Sequence, residues 1–484
     1  MSQHKHLNNV RLKITTPAVD FLEENNLSQL TKPVVNFAIA FLERYFQTPL
    51  LISTPTPIQS LETPSRIILE LAHTLKSLGM LESVYPVSRR FPDEPFLYGC
   101  YVKPHGYGSD FFNRDIACMR ALGENLERML WYEGDFTYKR SRRTSYKELG
   151  NSALNIFALA GFSNTQKAKH KKLQFDEHSI FTWIQGYSLT QKKEIFCPTQ
   201  LISAKHSETA KEPMLRWSVT TGLATGKNLE ESIIKGILEI IERDAFMITW
   251  LNKLTPVLVD LESLSKQDKE IAYVVNQLAR YHIDAYVVIL PTDFPVFVVN
   301  AILVDKTGIG PAITIGAGAS FNKKSSIFTA LREALGSRHT IRDKFKNYKL
   351  SESRDQFGRE DRLIYWAQKK DSSSLDFLTK GKKESINIQE DSPDDSRMYY
   401  KQKLLDLINH CKNKNYEVTY VELTSKYTTK KTGLHTVSVI IPELQPLHLD
   451  ETIPYIGGSR ISSVPQQLEY RPAKTLNIEP HPFT

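Results

Sequence analysis

Cysteine is scarce in this chain: Cys100, Cys118, Cys197 and Cys411 are the four in 484 residues, and no two are spaced as C-x-x-C. A structural zinc site of the usual spacing is thereby excluded, and scattered thiols fit a reduced, cytosolic protein. No apolar run reaches bilayer-spanning length; VVNFAIAFL, residues 34–42, is too short. The opening MSQHKHLNNV holds no apolar signal core. Familiar catalytic signatures are also missing. There is no G-x-x-x-x-G-K-[ST] phosphate loop, no H-E-x-x-H and no G-x-S-x-G, and GAGAS at residues 316–320 lacks the third glycine of a dinucleotide fingerprint. The expectation is a cytoplasmic protein with no membrane partner.

An apolar content of 41% over this length is enough for a sizeable core and more than one lobe. The net charge of +8 suits phosphates, nucleic acid or acidic peptides without choosing among them. The basic clusters at residues 138–143, 167–172 and 380–383 are dispersed and carry no nucleic-acid motif. They read as solvated loops, and a nucleic-acid partner is not expected.

Residues 1–90 form a helical lead-in, a packing or docking segment, with helices predicted over 34–46 and 65–84. From about Phe91 to Thr484 the pattern is that of one catalytic domain. A strand at 96–102 runs through the Gly-rich 105–110 into a first helix. A strand, turn and strand occupy 181–202, and a small-residue loop at 217–232 enters a second helix. Residues 285–291 and 294–304 are β-rich, and 307–320 leads into a third helix, 326–341. A charged excursion at 350–397 is interrupted by one apolar island, LIYWAQ. Helix 404–412, strands 416–423 and 436–442, and a loop-rich tail ending EPHPFT follow. This is an α+β, sheet-and-helix fold class. Histidines such as His339 and His448 read as surface or structural groups.

One charged signature is written twice. Glu124, Glu127 and Arg128 repeat as Glu239, Glu242 and Arg243, each Glu-x-x-Glu-Arg inside an apolar helical pattern. Residues three apart share a helix face, so each motif sets two carboxylates side by side. Asn228 caps the second helix, with Glu231 three residues on and in line with Glu242. One such pair is explained by a solvated face with an arginine partner. Two pairs facing one cavity would repel unless cations sat between them, and Mg2+ takes oxygen ligands together with substrate phosphates. Arg128 and Arg243 suit phosphate oxygens by charge and fork geometry. The third helix adds Glu333 and Arg338. The residues describe a carboxylate-rich Mg-nucleotide site without a phosphate loop.

These segments resemble the YcaO family. GENLER, TTGLATGKNLEESIIKGILEIIERDAF and LREALGSRHT are similar, in order, to its three nucleotide-site segments. WIQGYSLTQKKEIFCPTQLI, YWAQ and the tail IPELQPLHLDETIPYIGGSRISSVPQQL…LNIEPHPFT resemble the subgroup that makes azoline-containing, microcin-type peptides. The resemblance spans about residues 91–484. It implies a YcaO-type ATP-binding fold and an ATP- and Mg2+-dependent cyclodehydratase. A Cys, Ser or Thr side chain of a ribosomally made precursor peptide attacks the preceding carbonyl, and phosphorylation makes the amide oxygen a leaving group. A thiazoline or oxazoline ring remains, as in bacteriocin maturation.

The resemblance carries metal binding to Glu124, Glu127, Glu239 and Glu242. It assigns ATP binding to these and to Arg128, Glu231, Arg243, Glu333 and Arg338. It places Pro480, Pro482 and Phe483 at the reacting centre. It also implies a separate adenylating-enzyme-like protein that recognises the precursor's leader, and leaves a homodimer open. The sequence departs from the family's pattern at Tyr107, Arg120, Lys227, Gly336 and Thr484. Two other readings stand beside it: backbone thioamidation, which needs a sulfur donor, and a catalytically silent subunit that docks the precursor.

Overall fold

The computed structural model describes residues 65–87, 93–134, 140–209, 211–351, 357–369, 371–388 and 397–483. Most of the lead-in, including the helix expected at 34–46, lies outside these residues. Eight longer helices are numbered here: α1 (Arg66–Ser77), α2 (Arg114–Glu133), α3 (Leu229–Asn252), α4 (Lys269–Arg280), α5 (Lys323–Ile341), α6 (Arg359–Gln368), α7 (Arg397–Asn413) and α8 (Arg460–Gln467). None among the described residues is long and apolar enough to cross a membrane.

The strands form three sheets. β1 (Ser83–Val87), β2 (Tyr98–Lys103) and β3 (Gly106–Asp110) make a small antiparallel sheet. β4 (Ser141–Ser145), β5 (Ile180–Ser188), β6 (Lys193–Pro198) and β7 (Leu223–Gly226) join two later strands in a second. β8 (Val257–Val259), β9 (Ile283–Leu290), β10 (Phe297–Asp305), β11 (Ile313–Ser320) and β12 (Lys383–Glu384) form a third, in the order β11-β10-β9-β8-β12. β13 (Thr419–Glu422) and β14 (His435–Ile440) complete the second sheet, ordered β4-β5-β13-β14-β7 with β6 beside β5. Among the pairs of described strands only β12 with β8 is parallel, so the α+β class holds.

α3 packs between the second and third sheets. Its cap is the one the sequence implies: the Asn228 side chain accepts the Glu231 N–H at 2.9 Å. The return bond closes one residue earlier than expected, from the Lys227 N–H to Glu231 at 3.0 Å. Ile237 and Ile241 are fully buried because α3 is packed by sheets on two sides. Val298, Ile302 and Val304 of β10 and Val437 and Val439 of β14 share its core. The alternate β10 residues Val299, Ala301 and Leu303 face the opposite way, onto α4 and α5. That period of two is a strand buried on both faces.

Two of the three acid-bearing helices, α2 and α5, follow a G-x-G strand that lets the helix press onto it. A Cβ at Gly106 or Gly108 of β3 would lie 2.1 Å from a carbonyl oxygen of α2, and one at Gly316 of β11 would lie 2.3 Å from a carbonyl of α5. The stretch read as a Gly-rich connection, residues 105–110, is therefore mostly a strand.

Two other expectations are corrected. The helix predicted over 65–84 ends at Ser77 and turns at Gly79, whose φ is +71°, before β1 begins. Ile68 and Leu75 pack in one cluster with Leu122 and Leu126 of α2. The excursion read at 350–397 is not all surface: Leu375 and Leu378 are buried, as well as much of the apolar island at 363–368. The island lies on α6, where Ile364 and Trp366 have no exposure. His339 and His448 are buried.

Candidate active site

α2, α3 and α5 bring five carboxylates into mutual range. Glu127 lies close enough to Glu124 and Glu239 to feel their charges. Glu333 acts in the same way on Glu124, Glu239 and Glu242. Three backbone amides fix the cluster. Tyr107 N–H donates to Glu124 at 2.7 Å, Thr225 N–H to Glu127 at 2.6 Å and Gly222 N–H to Glu239 at 3.0 Å. The two copies of the signature, on α2 and α3, thus lie near each other, and a third helix adds Glu333.

Burial dominates the electrostatics. It pushes the Glu127 carboxyl up to about 8, with the charges of Glu124 and Glu239 adding to it. It pushes Glu239 up to about 7 against the pull of Arg243 and the Gly222 amide, and Glu242 up to about 8. Glu124 is raised as well, burial outweighing Arg128. Carboxyls raised in the folded state contribute stability that is complete below their ordinary range and is lost as pH rises through about 7 to 8. The metal-free protein should thus melt on the order of 5 °C lower at pH 9 than at pH 6. Saturating Mg2+ should abolish or reverse that fall. A midpoint independent of pH and of Mg2+ would refute this reading of the cluster.

The donor set fits Mg2+ and phosphate. Carboxylate oxygens are its ligands, and their repulsion is what a divalent cation relieves. Arg243 supplies a second observation. Its Nε is 3.7 Å from Glu242 and its Nη2 3.9 Å from Glu239, too far for good hydrogen bonds. Its buried Nε and Nη1 have no acceptor, so an anionic oxygen would complete it. Arg128 is paired with Glu124. Beside the cluster lies a cavity of about 560 Å³ lined by Asp110, Phe112, Arg120, Lys324, Phe328 and Arg332. Arg332 borders both, with Nη2 3.4 Å from Glu333.

Glu231 joins at one remove: Lys235 Nζ sits 2.6 Å from its carboxylate, donates to the Thr225 carbonyl and draws Glu127 down. Arg338 is the correction. Its buried guanidinium donates to Glu94, to Asp305 and to the Pro311 carbonyl at 2.7 Å, which leaves it no free face for phosphate. Arg332, which sequence reading passed over, is the α5 arginine beside the cluster. The adjacent Arg-Glu pair in LREALG was the available signal.

The C-terminal segment reaches this site through Phe483. The Arg243 guanidinium stands 4.9 Å over its ring, and the ring meets Phe246 edge-on at 4.4 Å. Pro480 and Pro482 are buried. Trp250 Nε1 donates to the Glu479 carbonyl at 3.0 Å and Trp366 Nε1 to that of Pro480 at 2.9 Å. Tyr365 and Lys369 hold the Glu479 side chain. YWAQ is thus the clamp for the tail, a role its composition did not disclose.

Residues 112–445 match the sequence model of the family described as YcaO cyclodehydratase, ATP- and Mg2+-binding. An uncharacterized protein of Methanothermobacter thermautotrophicus is 30% identical over 169 residues, 34% of this chain and 43% of that protein. Three solved structures share the fold. A heterocyclase in complex with substrate and cofactor has a TM-score of 0.70 at 20% identity, over 91% of this chain and 60% of that one. YcaO from Methanopyrus kandleri, bound with AMPPCP and Mg2+, has 0.53 at 16%, over 79% and 91%. The E. coli microcin synthetase McbBCD complex with pro-MccB17 bound has 0.55 at 14%, over 75% and 88%. The chain thus spans less than two thirds of the heterocyclase and less than half of the curated relative.

Proposed function

Because this chain belongs to the YcaO cyclodehydratase family, whose cofactors are ATP and Mg2+, we propose that it forms thiazoline or oxazoline rings from Cys, Ser or Thr in a ribosomally made precursor peptide. The observation that carries the proposal is the convergence of five carboxylates from three helices beside Arg243, with Phe483 of the tail stacked on that arginine. Glu124, Glu127, Glu239, Glu242 and Glu333 would hold Mg2+. Arg128, Arg243 and Arg332 would meet phosphate oxygens, and the adjoining cavity would take the nucleoside. When bound, ATP supplies the phosphoryl group that converts the amide oxygen into a leaving group, and Mg2+ offsets the charge of that transfer.

The chain's own residues prepare this chemistry. The amides of Tyr107, Gly222 and Thr225 aim three of the carboxylates. Phe483 and Phe246 keep water from one side of Arg243. Ring closure joins the side-chain sulfur or oxygen to the carbonyl carbon and sheds the amide oxygen and two protons, a net loss of one water.

Capture of the precursor is assigned to a separate leader-recognising protein. The assembly of the E. coli synthetase with its pro-peptide supports that arrangement. The test is mass spectrometry of a Cys/Ser/Thr-rich precursor incubated with this protein, such a partner and Mg-ATP. Each ring should lower the peptide mass by about 18 Da, one water. A gain of about 16 Da, oxygen exchanged for sulfur, would instead establish thioamidation. Unchanged peptide with every component present would leave the silent subunit.

A further inference from the structure

Tyr107 stands between α2, which carries Glu124, and α5, which carries Glu333. Its neighbours on β3, Gly106 and Gly108, point at α2, where a Cβ would lie 2.1 Å from the Ala121 and Ala117 carbonyl oxygens respectively. Side chains alternate along a strand, so Tyr107 points the other way, at α5. There it meets a residue with no side chain. A Cβ on Gly336 would lie 3.5 Å from Tyr107 Cε1, 3.7 Å from its hydroxyl and 3.5 Å from Ser109 Oγ. Tyr101 supports the ring from behind, centroid to centroid at 4.8 Å.

Two connections make this more than packing. The backbone N–H of the same Tyr107 donates to Glu124 on α2 at 2.7 Å. Gly336 lies one turn beyond Glu333 on α5. Glu124 and Glu333 repel one another, so the cation site they would share needs a fixed gap between α2 and α5. A rigid ring seated on bare backbone sets such a gap. A flexible side chain at residue 107, or a longer one at residue 336, would not.

We propose that Tyr107 is a positioning residue of the cation site: its ring, seated on Gly336, sets the spacing of Glu124 from Glu333 and fixes the amide that aims Glu124. The inference rests on the nucleotide reading above and adds to it a pair of residues that function as one. The hydroxyl is not required, and the geometry leaves room at residue 336 for a methyl group but not for a longer chain.

The experiment is calorimetric titration of a non-hydrolysable ATP analogue into the full chain across a range of Mg2+ concentrations. Gly336→Gln and Tyr107→Ala should each raise the Mg2+ concentration for half-maximal nucleotide binding about tenfold, and the double variant should be no worse than Tyr107→Ala alone. Gly336→Ala and Tyr107→Phe should stay within about twofold of wild type. Melting of the metal-free variants identifies any that fail to fold; Tyr107→Leu then replaces Tyr107→Ala, with the same tenfold expectation. An unchanged Mg2+ requirement in folded Gly336→Gln, or losses that multiply in the double variant, overturns the proposal and leaves the nucleotide reading intact. Wild-type protein that binds no Mg-nucleotide overturns both.

Discussion

Replacing Glu239 with Gln should reduce Mg-dependent ATP turnover about a thousandfold, the scale of losing a directed charge at a reacting centre, and should leave the metal-free protein at least as stable as wild type. The second half separates this prediction from a generic loss of fold. Glu239 is half-buried, repelled by Glu333 and raised to about 7. A neutral amide of the same shape removes the repulsion and still accepts the Gly222 N–H now bonded at 3.0 Å. The melting midpoint of metal-free Glu239→Gln should therefore equal or exceed that of wild type at pH 8, where the carboxylate is otherwise more than half ionised. Added Mg2+ should raise the variant's midpoint less than it raises the wild type's. Glu242→Gln should behave alike, since burial, with the charges of Glu333 and Glu239 adding to it, raises its carboxyl to about 8. A folded Glu239→Gln protein with wild-type, Mg-dependent turnover would sink the assignment of a cation to this cluster.

What could be read from the sequence follows from which forces are local. The Asn228 cap, the period of α3 and the β-rich run that forms β10 are set by nearest neighbours along the chain, and all are as expected. The pairing of Glu124 and Glu127 on one face, and of Glu239 and Glu242 on another, needs only the helical repeat. That the two faces meet could be argued from repetition, because one acidic pair is explained by a solvated face whereas the same pair written twice is not.

The errors arose where a partner far along the chain decides the outcome. Arg338 sits on the right helix, but Glu94, 244 residues away, takes its Nε. LIYWAQ is apolar within a charged stretch, and only the distant Pro480 carbonyl shows why Trp366 must lie inside. The Gly-rich 105–110 read as a connection because a glycine's lack of side chain signals flexibility locally. Here it serves close approach of β3 to α2.

Phe483→Ala should lower ring formation about a hundredfold, a loss on the scale of one misplaced catalytic group, while changing nucleotide affinity less than about threefold. The ring is 7% exposed, packs on Phe246 and stacks beneath the Arg243 guanidinium. Removing it leaves a cavity and admits water to one side of Arg243, whose Nε and Nη1 have no protein acceptor. Arg243 can then turn away from Glu239 and Glu242, to which it is held by charge rather than by short hydrogen bonds. Binding draws on the whole nucleotide, whereas transfer depends on this one arginine being aimed, so the loss should fall on kcat. The cavity itself should cost about 3–5 kcal/mol of stability, which a protein of this size can bear when saturated with Mg-ATP. Phe483→Leu should regain most of the stability and little of the rate, because it refills the space without a π face for the guanidinium. A blunt truncation after Ile478 is the poorer test. It would orphan the Trp250 and Trp366 indole N–H groups at about 1–3 kcal/mol each and blur folding with chemistry. Equal rates for Phe483→Leu and wild type would reduce the tail to packing. A parallel loss of rate and nucleotide affinity in Phe483→Ala would place Phe483 in the binding site instead.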